Sequence, residues 1–235
     1  MKITNHICVV LAVNTLLFCA QNPHSPSNTT ALRTNTVVNL ALESFFDTRT
    51  SGSIILTGTC ESTMSGRVVS TEELAIPDPI DIKRIDDDLD NLSHLSSHYG
   101  WFRRNDGLVQ FRDNRASAEL LRLHLAKFEL LQAVNLEDAV NKLLKVQQVK
   151  SFLKQHHIDL EPEFTGASFW NDEQIQRLSK SPTAPKYSLK LTDVTLEEAL
   201  NSIVRTFPGV WIYRECPGRI NLTSDPVGFP HPPNK

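Results

Sequence analysis

Apolar and polar positions near the end of the chain change period within a few residues, from two to 3.6 and back to two. Tyr187, Leu189 and Leu191 alternate with Ser188 and Lys190, which predicts a strand. Thr195-Leu196-Glu197-Glu198 has the spacing of a capping box, in which the Thr and Glu side chains satisfy each other's backbone N–H groups and start a helix. Leu196, Ala199, Leu200, Ile203, Val204 and Phe207 follow at helical spacing, and Pro208-Gly209 stops the helix. Val210-Trp211-Ile212-Tyr213 and Arg219-Ile220-Asn221-Leu222 are short strands joined through Pro217-Gly218, so the whole reads as a β-α-β-β element.

The pattern occurs a second time, roughly 110 residues earlier. Ile85, Leu89 and Leu92 fall where Leu196, Leu200 and Ile203 fall, and Trp101-Phe102-Arg103-Arg104 matches Trp211-Ile212-Tyr213-Arg214. Asn105-Asp106-Gly107 replaces Cys216-Pro217-Gly218, and Asp-Gly between apolar runs signals a hairpin. Ile80-Asp81-Ile82 would be the preceding strand. Residues 38–46 form another amphipathic helix with a strand over 52–56 after it, which extends this first unit to residues 36–113. Residues 116–154 read as helical, although Leu121, Leu123 and Leu125 alternate. Asn135-Leu136-Glu137-Asp138-Ala139-Val140 resembles Thr195 to Leu200, but no hairpin follows, so it reads as coincident helix-start chemistry.

The expected fold is therefore α+β, with two small β-α-β-β units, 36–113 and 186–225, joined by a helical segment over 114–185. Strand alternation adds an expectation about faces. The purely apolar Phe102 and Ile212 should lie beneath the helices, with Trp101 and Trp211 on the opposite face.

The run Leu189-x-Leu191-x-x-Val194-x-Leu196-Glu197-Glu198-Ala199-Leu200, with its apolar helix, Trp211-x-Tyr213 and Arg219-Ile220-Asn221-Leu222, resembles the short N-terminal domain of secretins and TonB-dependent receptors. The earlier unit is similar but more divergent. The resemblance implies a small β-α-β fold on the periplasmic side of the outer membrane, serving as a contact for partner proteins. It rests on apolar patterning with few fixed polar residues, so it speaks to fold more than to role. No large β-rich region follows here, so a pore-forming or transport role is not implied.

The N-terminus adds a compartment. Lys2 precedes an apolar run over 7–17 broken only by Asn14 and Thr15, and Phe18-Cys19-Ala20 closes it, the pattern of a signal peptide over 1–20. The run is shorter than the roughly 20 residues a bilayer span needs. Leu16-Leu17-Phe18-Cys19 also resembles a lipobox, which would make Cys19 a lipidation candidate, although Phe18 is bulky where that motif takes a small residue. Residues 21–35 read as a disordered linker rich in Pro, Ser, Asn and Thr, and residues 226–235 as a proline-rich tail. The expected location is periplasmic or secreted, or membrane-anchored through Cys19 alone.

Outside the signal two cysteines remain, Cys60 and Cys216, and in an exported chain they are a disulfide candidate or two buried thiols. With 24 Lys and Arg against 27 Asp and Glu and no long basic cluster, nucleic acid is not expected as a partner. The chain has no Gly-x-Ser-x-Gly, Walker loop, His-Glu-x-x-His or Cys-x-x-Cys, and only 9 glycines from which to build a phosphate loop. No cofactor is expected. Asp90, His94 and His98 lie four residues apart beside Asp87, a spacing that can hold zinc on one helix face, yet Ile85, Leu89, Leu92 and Tyr99 place that stripe toward solvent. His156-His157 reads as loop, and the sequons at Asn28, Asn91 and Asn221 are set aside. The sequence thus points to a non-catalytic envelope adaptor that binds a protein partner, with an exported zinc-dependent hydrolase or a signalling partner of an outer-membrane receptor as alternatives.

Overall fold

The computed structural model describes residues 33–63, 66–76, 84–160 and 186–227. In chain order its elements begin with β1 (Arg33–Thr36), α1 (Val37–Asp47), β2 (Gly52–Thr57), β3 (Thr59–Thr63), β4 (Gly66–Ser70) and β5 (Glu73–Ile76). Then come α2 (Ile85–Leu95), β6 (Tyr99–Arg103), β7 (Val109–Asp113), a 3-10 turn (Leu120–Arg122), β8 (His124–Ala133), α3 (Leu136–Leu144) and α4 (Gln147–Gln155). Last are β9 (Asp159–Leu160), β10 (Tyr187–Thr195), α5 (Leu196–Thr206), β11 (Gly209–Cys216) and β12 (Arg219–Pro226).

The fold is α+β. One six-stranded mixed sheet, ordered β6-β7-β2-β11-β12-β9, runs through both repeat units. β2 pairs parallel with β7 and with β11, Ile54 opposite Phe111 on one side and Ile212 on the other. The hairpins β6-β7 and β11-β12 flank this centre. Both faces are covered. On one, Val38, Ala41, Phe45, Leu89 and Leu92 of α1 and α2 pack on Ile54, Leu56, Val109, Phe111, Val210 and Ile212. On the other, Leu200, Ile203 and Val204 of α5, Leu136 and Val140 of α3, and Leu125, Phe128 and Leu130 of β8 pack on Ile55, Trp211, Tyr213 and Leu222. A strand sandwiched in this way needs apolar side chains at successive positions. That is why Ile54-Ile55-Leu56 and Val210-Trp211-Ile212-Tyr213 are unbroken runs, every member at most 3% exposed.

Local signals fix the ends of the elements. At the start of α5 the Thr195 hydroxyl accepts from the Glu198 amide, and the Glu198 carboxylate accepts from the Thr195 amide at 2.7 Å, so the capping box is complete. Gly218, at φ 74°, supplies the left-handed residue that the Pro217-Gly218 turn between β11 and β12 requires.

Four expectations are corrected. The segment joining the units is not helical throughout: β8 is a ten-residue strand within it, pairing antiparallel with β10, and only α3 and α4 follow as helices. Leu121, Leu123 and Leu125 stand at the turn into that strand. The helix start at Asn135 is more than coincidence, since β8 leads into α3 as β10 leads into α5. The Asn135 side chain accepts from the Asp138 amide as Thr195 does from Glu198. The linker and tail boundaries also move outward toward the termini, because Arg33–Thr36 pair with β5, Pro226 ends β12, and Val227 is buried in the core.

The fourth correction concerns the tryptophans. Trp211 is fully buried beneath α5, and its indole N–H donates to Asn201 Oδ1 at 3.0 Å. Trp101 is half-buried against the α1 and α2 core, and its indole N–H donates to Asp90 Oδ1 at 2.7 Å. Phe102 is exposed, and Ile212 points to the face opposite α5. Each tryptophan, not its neighbour, therefore lies under the helix of its own unit. Asp90 and Asn201 are matching positions of the repeat, each following the central leucine, so the match extends to a hydrogen bond. β6 runs opposite to β11, and the same helix-to-strand geometry on reversed strands places α2 and α5 on opposite faces. Ile80 to Ile82 and residues 161–185 of the joining segment lie outside the described residues, as do the signal region and Cys19.

Candidate functional site

Of the residues singled out by the sequence, Asp90, His94, His98 and Trp101 lie where α2 leads into and packs on β6. β6 ends the sheet, and among the described residues no strand pairs with its outer side. The direction of its backbone groups follows from two hydrogen bonds. Asn114 N–H donates to the His98 carbonyl and Arg104 N–H to the Leu108 carbonyl, both at 2.8 Å, so the even-numbered residues of β6 face β7. The odd-numbered ones face outward. Tyr99 N–H is spent on the Ser96 carbonyl at 3.1 Å, which leaves the N–H and C=O of Trp101 and Arg103 directed away from the sheet.

The side chains along this edge are of mixed character. Trp101 lies over the core side with Asp90, and the Arg103 guanidinium donates to Asp86 at 2.7 Å. On the opposite face Phe102 is 47% exposed, one of four large apolar side chains so exposed among the described residues. The edge carries no lysine, proline or bulge, and its one charged side chain is Arg103 at its end. The turn beyond it is anchored: Asp106 pairs with Arg205 of α5 and with Arg104, and Gln110 donates to Glu197 of α5 at 2.8 Å.

The zinc stripe does not assemble. α2 ends at Leu95 with Ser96 extended, so His98 is off the helix, whereas His94 is in its last turn. Asp90 is turned toward the Trp101 indole. Among the described residues no group of three or more His, Cys, Asp or Glu side chains is placed to hold a metal. Asp88, by contrast, is a buried acid that the sequence did not mark. Burial, then Asp87 and Asp47, raise its carboxyl to about 6, and its Oδ2 has no hydrogen-bond partner.

A second feature lies at the far end of β11. Cys60 of β3 and Cys216 of β11 are joined in a disulfide with Cα atoms 5.6 Å apart. The bond borders a cleft of about 430 Å³ whose lining includes Thr57, Glu119, His156, Tyr213, Glu215 and Arg219. Its polar groups are largely committed to the fold. The Glu215 carboxylate accepts from the Ser117 and Ala118 amides and from the Tyr213 hydroxyl at 2.7 Å. Burial and then Glu215 hold the Tyr213 phenol well above its usual range, so it stays a proton donor to that carboxylate. Asp113 nearby is fully buried. Burial would raise it, but hydrogen bonds from Arg115 and Thr57 outweigh burial and hold it below the usual carboxylate value. Arg219 is occupied by the Arg67 carbonyl, and the His156 ring stacks on Phe152. These groups join the β3-β4 hairpin and the 115–119 loop to the sheet. Sequence reasoning missed Glu215 because an acid at a strand end looks like an ordinary solvated position; its use as an acceptor for a distant loop leaves no local pattern.

No helix among the described residues is long and apolar enough to cross a membrane. Comparison with protein-family models, with curated proteins and with solved structures finds no match to the chain.

Proposed function

We propose that the chain is an exported, non-catalytic interaction domain of the cell envelope, and that it docks an extended strand of a partner protein on the outer edge of β6. The observation that carries this reading is the edge that no strand pairs among the described residues, with the outward N–H and C=O groups of Trp101 and Arg103 beside an exposed Phe102. Strand addition supplies such groups with main-chain partners, while alternate side chains supply specificity. The disulfide fits an oxidising compartment, as do the signal-like first 20 residues and the resemblance to the short N-terminal domain of secretins and TonB-dependent receptors. The zinc hydrolase is not carried forward, because His98 stands off the helix and Asp90 is bound to Trp101.

A photo-crosslinking amino acid at position 102, in the chain expressed in its own envelope, tests the reading. Adducts at 102 that are absent when the crosslinker is at Thr192, an exposed position on the β8-β10 ribbon, are the expected result. Equal labelling at both positions, or none at 102, would remove the edge as the docking surface.

A further inference from the structure

The β6 edge is complementary to itself in one register. We propose that the strand it takes is β6 of a second copy of this chain, antiparallel and centred on Phe102; this rests on the edge reading above and names its partner. Five two-fold registers, centred on residues 99 to 103, set the outward residues 99, 101 and 103 against one another, and those centred on Tyr99 and Gly100 require the Tyr99 amide already given to Ser96. Centring on Arg103 sets two guanidinium side chains directly opposite, which is unfavourable. Centring on Trp101 requires the Tyr99 amide, already given to Ser96, and opposes two bulky indoles that are held under α2. Centring on Phe102 uses the outward N–H and C=O of both Trp101 and Arg103 and needs nothing from the Tyr99 amide. Trp101 of each copy then exchanges both backbone hydrogen bonds with Arg103 of the other, which makes four bonds in all.

The side chains agree with this register. The two Phe102 rings form the central non-hydrogen-bonded pair, whose Cβ atoms approach to about 5 Å, and each covers the other's exposed surface. On the opposite face the Arg103 guanidinium of one copy lies across from the Trp101 indole of the other, whose N–H is held by Asp90. That juxtaposes a cation with an aromatic face and a carboxylate. The result is a continuous sheet of twelve strands, two copies of the six, with neither β6 edge left open. A contact along five residues of each strand lies at the small end of interfaces, so the dimer should dissociate on dilution.

Sedimentation velocity of the mature, disulfide-bonded chain over a wide concentration range tests the proposal with three variants. Arg103→Pro removes an outward N–H without touching the β6-β7 ladder, since residue 103 does not donate to β7. Arg103→Ala removes the side chain and keeps the N–H, and Phe102→Asp introduces charge at the centre. The expected result is a concentration-dependent dimer whose association constant falls about tenfold or more in Arg103→Pro and Phe102→Asp and distinctly less in Arg103→Ala. If Arg103→Pro fails to fold, Phe102→Asp decides alone, because its side chain is already exposed. A chain that stays monomeric at every concentration, or a dimer indifferent to Phe102→Asp, overturns the proposal. Where the chain is monomeric yet position 102 still crosslinks to a different protein, the docking edge stands and only the second copy falls; loss of both signals ends both readings.

Discussion

Replacing Cys60 and Cys216 together by alanine should cost this domain a large part of its stability. The two residues are 156 positions apart, so the bond closes a loop that contains most of the fold. Cross-linking a loop of that length removes denatured-state entropy equivalent to about 5 kcal/mol. A domain of this size typically has about 5–15 kcal/mol in total. In the folded state the bond holds the β3-β4 hairpin to the end of β11, where its other ties are Gly58 N–H to the Glu215 carbonyl at 2.8 Å and Arg219 to the Arg67 carbonyl. Those ties survive the substitution, so the double variant should fold and retain its secondary structure. Urea denaturation followed by circular dichroism, on the wild type with and without reductant and on the double variant, measures the effect. Stability should drop by about 4–5 kcal/mol, equally for reduction and for substitution, with a steeper denaturant dependence because the uncrosslinked chain unfolds further. A change under about 1 kcal/mol would refute the reasoning, as would free thiols in the protein isolated without reductant.

Three further outcomes follow from the buried polar groups and the core. Trp211→Phe strands Asn201, which is 1% exposed and already has an unpaired Nδ2, and should cost about 2–4 kcal/mol, whereas Trp101→Phe at the half-open matching position should cost about 1 kcal/mol or less by thermal denaturation. Asp88 is raised in the fold, chiefly by burial, so the stability of its neutral form is fully present below the ordinary carboxylate range and is lost as pH rises through about 6. Asp88→Asn should therefore stabilise by up to about 3 kcal/mol near neutral pH and by less than about 1 kcal/mol at about pH 4, and equal effects at both pH values would contradict the assignment. Leu200→Asp places a carboxylate at a fully buried position and should unfold the domain, while His94→Ala, in the exposed last turn of α2, should change stability by less than about 0.5 kcal/mol in the same assay.

What was legible in the sequence was what local chemistry decides. The capping box at Thr195, the apolar stripe of α5, the Pro217-Gly218 turn and the matching first hairpin all depend on neighbours within a few residues. β8 was not legible because its buried positions, Leu125, Phe128, Leu130 and Ala133, are spaced three, two and three apart, which suits a helix as well as a strand. Part of that irregularity is a register shift opposite Tyr187 and Leu189, with Gln132 at φ 52°. The faces of Trp101 and Trp211 were misread for another reason. Alternation tells which residues share a face but not which face a helix covers, and here both faces are covered. Asp90 illustrates the same limit at the candidate site: four-residue spacing suggested a ligand stripe, while the side chain is held by an indole eleven residues away that no helical pattern can reveal.

The claim that β6 is a docking strand is tested most directly by residue-resolved hydrogen exchange at the Trp101 and Arg103 amides. In the dilute, isolated chain both should exchange rapidly, while Phe102, whose N–H faces β7, should be protected. At high concentration, or with a partner strand bound, both should become protected while amides of the β8-β10 ribbon stay unchanged. Slow exchange at Trp101 and Arg103 in the dilute chain, or rapid exchange that no partner and no concentration alters, would contradict the account.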